Sequence, residues 1–211
     1  MNPIKCVIFD MDGTLIDSEK IYMECYVRAA KKHGLTVEEE VFHVLIGTSG
    51  EDEFRLLDEI TNSRPLTMAI YDSMLTLAKA TDGAPPLKSG ALSLLQKCKT
   101  LDLIVVLATS THKKSAVATL KQLGIFDYFH VLVFGDDVTI PKPHPMMYEL
   151  AFSLTAVNKK EDVLVFEDSH VGVRAAHEAG FKVAQLVDDV APYPVADYHL
   201  RCLEEGLEMF E

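Results

Sequence analysis

The stretch Phe9-Asp10-Met11-Asp12-Gly13-Thr14-Leu15-Ile16-Asp17 closes an apolar run with two closely spaced carboxylates. Ahead of it, Cys6-Val7-Ile8-Phe9 is apolar and rich in β-branched residues with no polar alternation, the pattern of a strand buried on both faces, and Gly13 supplies the turn that ends it. Asp10 and Asp12 therefore stand at the C-terminal end of a strand. Alternate strand positions point to the same side, so the two carboxylates can share a pocket in which a cation, or a proton on one of them, relieves their repulsion. Taken alone, Asp12-Gly13 is ordinary turn chemistry, and the rest of the chain has to decide.

A chain of 211 residues with 48% hydrophobic content can bury one substantial core, with length to spare for a small second module. The formal net charge of -12 argues against nucleic acid or an anionic membrane as partner, because phosphate backbones are bound by clustered Lys and Arg. An anionic ligand would need local positive charge or a metal. Cys6, Cys25, Cys98 and Cys202 form no CxxC pair and no metal-ligand spacing, which points to reduced thiols in a cytoplasmic protein. Asp10 interrupts the first apolar run too early for a secretory signal, and no apolar stretch approaches the ~20 residues of a spanning helix. The expectation is a soluble, cytoplasmic monomer.

Beyond the first motif the pattern turns helical. Ser18 can cap a helix carrying Tyr22, Tyr26, Ala29 and Ala30, with Gly34 as its stop. Thr36 and Glu39 form a capping box for a helix through Phe42, Val44 and Leu45 that Gly47 ends. Residues 51–60 and 67–80 again have helical spacing, and 82–90, with Gly83, Pro85 and Pro86, reads as a return linker. Strands then alternate with helices: strands at 103–108, 131–134, 163–166 and 182–186, helices at 113–123, from Pro145 to Phe152 and at 173–179, a weak strand at 198–200 and a terminal helix at 203–210. This order predicts an α/β fold, a parallel sheet with helices on both faces, built from residues 1–17 and 83–211, with an all-helical insert over 18–82.

Ligands of such sheets bind beyond the carboxyl ends of the strands. There the sequence places Asp10 and Asp12, then Thr109-Ser110-Thr111, then Lys142 by way of Gly135-Asp136-Asp137, then Glu167-Asp168-Ser169. Carboxylates at two strand ends can hold Mg2+, a hard cation with oxygen ligands. Thr109 and Lys142 suit a phosphoryl group: a hydroxyl donates a hydrogen bond, and an ammonium offsets repulsion between the phosphate and an attacking carboxylate.

Four motifs in this order, Asp10-Met11-Asp12-Gly13-Thr14, Thr109 closing a strand, Lys142-Pro143 with Pro145, and Glu167-Asp168-Ser169 with Gly172, resemble the haloacid dehalogenase superfamily of phosphohydrolases in its helical-cap branch. The resemblance spans about residues 4–186 and implies a Rossmann-like core with residues 18–82 as the cap. It further implies that Asp10 attacks phosphorus to form an aspartyl phosphate, while Asp12 protonates the leaving oxygen and then activates water. Thr109, Ser110 and Lys142 would bind the phosphoryl group. Asp10, the backbone carbonyl of Asp12, and Asp168 would ligate Mg2+, with Glu167 acting through water or as an outer partner. Dehalogenation does not need the acid and base that Asp12 provides, so the second aspartate favours phosphoryl chemistry.

Gly47-Thr48-Ser49-Gly50-Glu51-Asp52 resembles the cap loop of this branch, making Thr48, Ser49 and Glu51 substrate-binding candidates; the same run also reads as a plain helix connection. Pro141 and His144 depart from the Gly and Asp common there in relatives, while His112, His144, His170 and His177 read as loop or helix-surface histidines. The implied activity is a Mg2+-dependent phosphatase of a small phosphorylated metabolite, a sugar phosphate or nucleotide-derived monophosphate. A mutase of the β-phosphoglucomutase type shares the motifs, but Tyr22 and Gly50 stand where a histidine and an arginine are expected. A noncatalytic binding protein would not need the whole set.

Overall fold

The computed structural model describes residues 4–46, 48, 51–81, 83–187 and 191–210. The chain divides into two compact units, Met1–Asp17 with Pro86–Glu211, and Ser18–Pro85.

The larger unit is built on a six-stranded parallel sheet of β1 (Cys6–Phe9), β2 (Ile104–Ala108), β3 (Val131–Val133), β4 (Val163–Glu167), β5 (Lys182–Leu186) and β6 (Tyr198–Leu200), in the order β3-β2-β1-β4-β5-β6. β1 lies at the centre, Phe9 in register with Leu107 on one side and Phe166 on the other. Val7, Phe9, Val105, Leu107, Leu164 and Phe166 face one layer, where α4 (Ala91–Thr100) and α5 (Lys113–Gln122) pack. Cys6, Ile8, Val106, Ala108, Val163 and Val165 face the other, against α6 (Met146–Ser153) and α7 (His170–Glu178). Both faces are covered, which is why these strands are continuously apolar. Strand order reverses about β1, so the crevice beyond Phe9 is where such a sheet receives a ligand.

The helical unit comprises α1 (Glu19–Lys32), α2 (Glu51–Thr61), α3 (Arg64–Ala80) and a 3-10 segment, Glu39–Leu45. Its own core contains Met23, Tyr26, Ala30, Phe42, Leu57, Ile70 and Met74, with the rings of Tyr26 and Phe42 stacked at 5.3 Å.

Local details depart from the sequence expectations. The capping box at Thr36 does not form: the segment begins at Glu39 after an extended Glu38 and is a 3-10 helix, whose buried residues Phe42 and Leu45 share its three-residue repeat. Ser18 makes no side-chain cap, because its own backbone is already helical, with φ -83° and ψ -22°. The terminal segment Leu203–Phe210 is likewise 3-10, burying Leu203 and Gly206 three apart. Helix α4 has no counterpart among the expectations, although Ala91, Leu94, Leu95 and Cys98 carry the spacing that would identify it.

Phe166 is fully buried, stacked on Phe9 at 5.1 Å and roofed by Gly206, where an added Cβ would lie 2.9 Å from its ring. Phe166→Ala should cost about 3–5 kcal/mol, read as a lowered midpoint in urea unfolding.

Candidate active site

Four strand ends supply the site. Asp10 follows β1 and ties its backbone N–H to the carbonyl of Phe166 at 3.0 Å, fixing it beside the end of β4. The loop after β3 delivers Lys142, which is 8% exposed and donates to Asp10 Oδ1 at 2.6 Å, Glu167 Oε1 at 2.7 Å and the carbonyl of Ala108 at 3.2 Å. Its ammonium also stands 4.8 Å from the centre of the Tyr148 ring. Despite Pro141 and His144, this loop brings the lysine to the first aspartate.

Glu167 is the most heavily engaged group. Its Oε1 accepts from Lys142 and the Tyr148 hydroxyl, and its Oε2 from the N–H groups of Asp168 and Ser169 and from Ser169 Oγ. Ser169 is the N-cap of helix α7, its Oγ accepting from the N–H of Gly172, so Glu167 lies at a helix N-terminus, where the dipole favours negative charge. Gly172 makes the arrangement sterically possible: a Cβ there would lie 1.7 Å from Glu167 Oε1. Asp168 Oδ1 accepts from Thr14 Oγ1 at 2.9 Å, the Gln185 amide holds the Asp168 carbonyl at 3.0 Å, and Gly13, at φ 77°, leaves room for the Asp168 carboxylate at a point where a Cβ would come within 2.2 Å.

Asp10, Glu167 and Asp168 form a buried group whose carboxylate oxygens lie within 4.8 Å of one another, close enough to hold a metal ion. Burial pushes the Asp10 carboxyl up to about 8, against the lowering effect of Lys142 and with Glu167 and Asp12 adding to the rise. Burial alone would lower the Lys142 ammonium, but Asp10 and Glu167 hold it well above its ordinary value. The one ammonium of Lys142 is thus shared by two carboxylates, Asp10 and Glu167.

The Asp12 carboxylate is not part of that group. Its Oδ2 accepts from Thr111 Oγ1 at 2.6 Å, and Thr111 in turn donates its N–H to Thr109 Oγ1 at 3.0 Å. Thr109 is buried, its own N–H bonded to the carbonyl of Val133, and Ser110 beside it is exposed. The core thus gathers Asp10, Asp12, Thr109, Ser110, Lys142, Glu167 and Asp168 along one edge of the sheet. Thr48 and Glu51 belong to the helical unit, where Thr48 Oγ1 donates to the carbonyl of Leu45 at 2.7 Å and Glu51 is the exposed first residue of α2; Ser49 lies outside the described residues. Sequence reasoning missed Tyr148, Thr111 and Gln185 as supports. Thr14 and Ser169 lay inside the motifs it quoted, yet no local pattern says what they touch.

A family model for haloacid dehalogenase-like hydrolases matches residues 7–186. The chain is 34% identical over 187 residues to the phosphorylated carbohydrates phosphatase of Thermotoga maritima, covering 85% of this chain and 83% of the relative. It is 31% identical over 229 residues to mitochondrial (DL)-glycerol-3-phosphatase 1 of Arabidopsis thaliana, covering 97% and 74%. The solved structure of CbbY from Rhodobacter sphaeroides in complex with xylulose-1,5-bisphosphate is similar in fold, with a TM-score of 0.74 over 96% of each chain at 23% identity.

Alanine is ordinarily worth about 1 kcal/mol over glycine inside a helix. At Gly172 that gain is opposed by the contact with Glu167, so Gly172→Ala should instead destabilise by about 1–3 kcal/mol, measured by urea unfolding.

Proposed function

The chain belongs to the haloacid dehalogenase-like hydrolases and is a phosphoric monoester hydrolase among them, and from that premise we propose that it hydrolyses a small phosphorylated metabolite through an aspartyl phosphate on Asp10. The substrate class is a sugar or polyol phosphate, in keeping with the relatives named for phosphorylated carbohydrates and glycerol 3-phosphate, or a nucleotide-derived monophosphate. On this reading the helical unit is the cap of the fold. The buried free thiols of Cys6, Cys25 and Cys98 support a reducing, cytoplasmic setting.

The observation that carries the reading is Lys142, whose ammonium bridges Asp10 and Glu167 where four strand ends meet. An ammonium there holds the carboxylate of Asp10 in place and faces the charge that develops as a phosphoryl group approaches. Asp10 Oδ attacks phosphorus, the P–O bond of the ester breaks, and Asp12 gives its proton to the departing oxygen. Asp12 then takes a proton from water, the water oxygen bonds to phosphorus, and the Asp10–phosphorus bond breaks to release phosphate. Thr111 keeps Asp12 aimed at the leaving oxygen, and Thr109, whose oxygen already accepts from Thr111, has its hydroxyl hydrogen left to donate to the phosphoryl group.

Buried carboxylates are hard oxygen donors, so the residues fit Mg2+. Asp10, Asp168 and the backbone carbonyl of Asp12 would hold it, with Glu167 as an outer partner, since both its oxygens are already engaged. When bound, Mg2+ would polarise the phosphoryl oxygen and offset negative charge among the carboxylates.

Asp10→Asn should lower phosphate release by roughly four orders of magnitude or more while preserving the circular dichroism spectrum; retained turnover would sink the assignment. Mg2+ should be required, and Ca2+, which prefers more ligands and longer bonds, should inhibit; activity undiminished in chelator is the contrary result. Millimolar Mg2+ should raise the thermal midpoint of the unmodified chain more than that of Asp10→Asn, as a ligand of the native state must. Release of inorganic phosphate, against recovery of an isomerised sugar phosphate, separates this reading from the mutase.

A further inference from the structure

Strand β5 is apolar at Val183, Ala184 and Leu186, and Gln185 interrupts it while being fully buried. A buried amide is costly unless its polar atoms are paired, so its partners define its role. Gln185 pairs in register with Glu167, the last residue of β4, and shares the sheet face of Val183, toward α7. From there its amide makes three hydrogen bonds. Nε2 donates to the carbonyl of Asp168 at 3.0 Å and to the carbonyl of Ala191 at 3.3 Å, and Oε1 accepts the N–H of Tyr193 at 2.7 Å. Two carbonyls and one N–H fix which end of the amide is which, and both of its N–H groups are used.

The segment that meets Gln185 is held from two further directions. His170, the first residue of α7, donates from Nε2 to the Ala191 carbonyl at 2.7 Å and stacks its ring on Tyr193, the centres 4.8 Å apart. His199, in β6, donates from Nε2 to the carbonyl of Tyr193 at 3.1 Å. Ala191 and Tyr193 thus form a clasp near the surface whose buried bearing is Gln185. Across that bearing, the Asp168 residue is gripped at three points: its N–H by Glu167 Oε2 at 3.0 Å, its carboxylate by Thr14 Oγ1 at 2.9 Å and its carbonyl by Gln185. The Gln185 contact is the one that leads on to the clasp.

We propose that Gln185 is a positioning residue for the metal: one end of its amide carries the backbone of Asp168 and the rest carries the Ala191–Tyr193 clasp, so that seating of the clasp sets how tightly Asp168 holds Mg2+. This rests on the Mg2+ reading above and deepens it. The direction in which a carboxylate points is set by the peptide that bears it, and a carbonyl released from its partner lets that peptide tilt. No other side chain of this size does the same work. A glutamate offers no N–H to two carbonyls, and an asparagine is one methylene short.

The test uses the full chain with Mg2+ alone as the probe, binding measured by calorimetric titration at a temperature where every variant is folded. Gln185→Met keeps the length of the side chain and removes all three hydrogen bonds; it should weaken Mg2+ binding roughly tenfold or more. Val183→Ala, on the same strand and face, should lower the thermal midpoint and leave the Mg2+ dissociation constant nearly unchanged. A second measurement needs no substitution. Coupling is reciprocal, so saturating Mg2+ should slow hydrogen exchange at the Tyr193 N–H of the unmodified chain more than at the N–H of Gly180, which closes the far end of α7 on the carbonyl of His177. An unchanged dissociation constant in folded Gln185→Met overturns the assignment, as does an equal weakening in Val183→Ala, or exchange at Tyr193 that Mg2+ slows no more than at Gly180. An unmodified chain that binds no Mg2+ overturns the metal reading and the assignment with it.

Discussion

The buried ammonium of Lys142 is the constraint around which the core of this protein is arranged. Withdrawing a lysine from water costs several kcal/mol unless its partners are close and well aimed, and here the partners are two carboxylates at 2.6 and 2.7 Å and a backbone carbonyl. Each partner imposes a further requirement. Asp10 has to end β1 at the level where β4 ends, which the Phe9–Phe166 register provides. Glu167 has to be satisfied on both oxygens, which takes the Tyr148 hydroxyl, the Ser169 hydroxyl and the N–H groups of Asp168 and Ser169 just ahead of α7. The absence of a side chain at Gly172 follows from the same demand.

Burial is what raises the carboxyl of Asp10, to about 8, with Glu167 and Asp12 adding to the rise and Lys142 opposing it. A cation held among the carboxylates of Asp10, Glu167 and Asp168 would oppose the same rise, as the ammonium of Lys142 does. In a chain of net charge -12, the positive charge that Lys142 brings to the strand ends is a local feature set against the sign of the whole.

The candidate site residues were legible in the sequence because strand ends are legible. An unbroken apolar run announces a buried strand, and whatever polar residue follows it must stand at the ligand-binding edge, so Asp10, Thr109, Glu167 and Asp168 could be placed before any coordinate was known. Lys142 needed the ordered set, because a Lys-Pro pair carries no periodic signal. What escaped depends on tertiary packing. Tyr148 sits in an apolar helical stripe where a tyrosine looks like any core residue, and only its hydroxyl's contact with Glu167 distinguishes it. His112 is the exposed loop histidine that the sequence suggested, but its contact with Asp136, across helix α5 and β3 in the chain, has no local signal. The misread 3-10 segments have a similar cause: Phe42 and Leu45, like Leu203 and Gly206, are buried at intervals of three, which a helical reading of four to six residues does not distinguish from an α-helix.

The two places where the chain leaves and re-enters the sheet unit are joined to each other. The N–H of Asp17 meets the carbonyl of Pro86 at 2.9 Å, the N–H of Lys88 meets the carbonyl of Leu15 at 2.9 Å, and Ile16 and Leu87 form an antiparallel bridge. Everything from Ser18 to Pro85 is therefore a loop closed at its neck by the sheet unit's own hydrogen bonds. Closing such a loop costs only about 0.6 kcal/mol more for each doubling of its length, so the neck is nearly indifferent to what is threaded through it. The fold thus contains a socket: inserts of different size and shape can be exchanged between Asp17 and Pro86 over evolutionary time, while the strands that carry the carboxylates and the lysine keep their register.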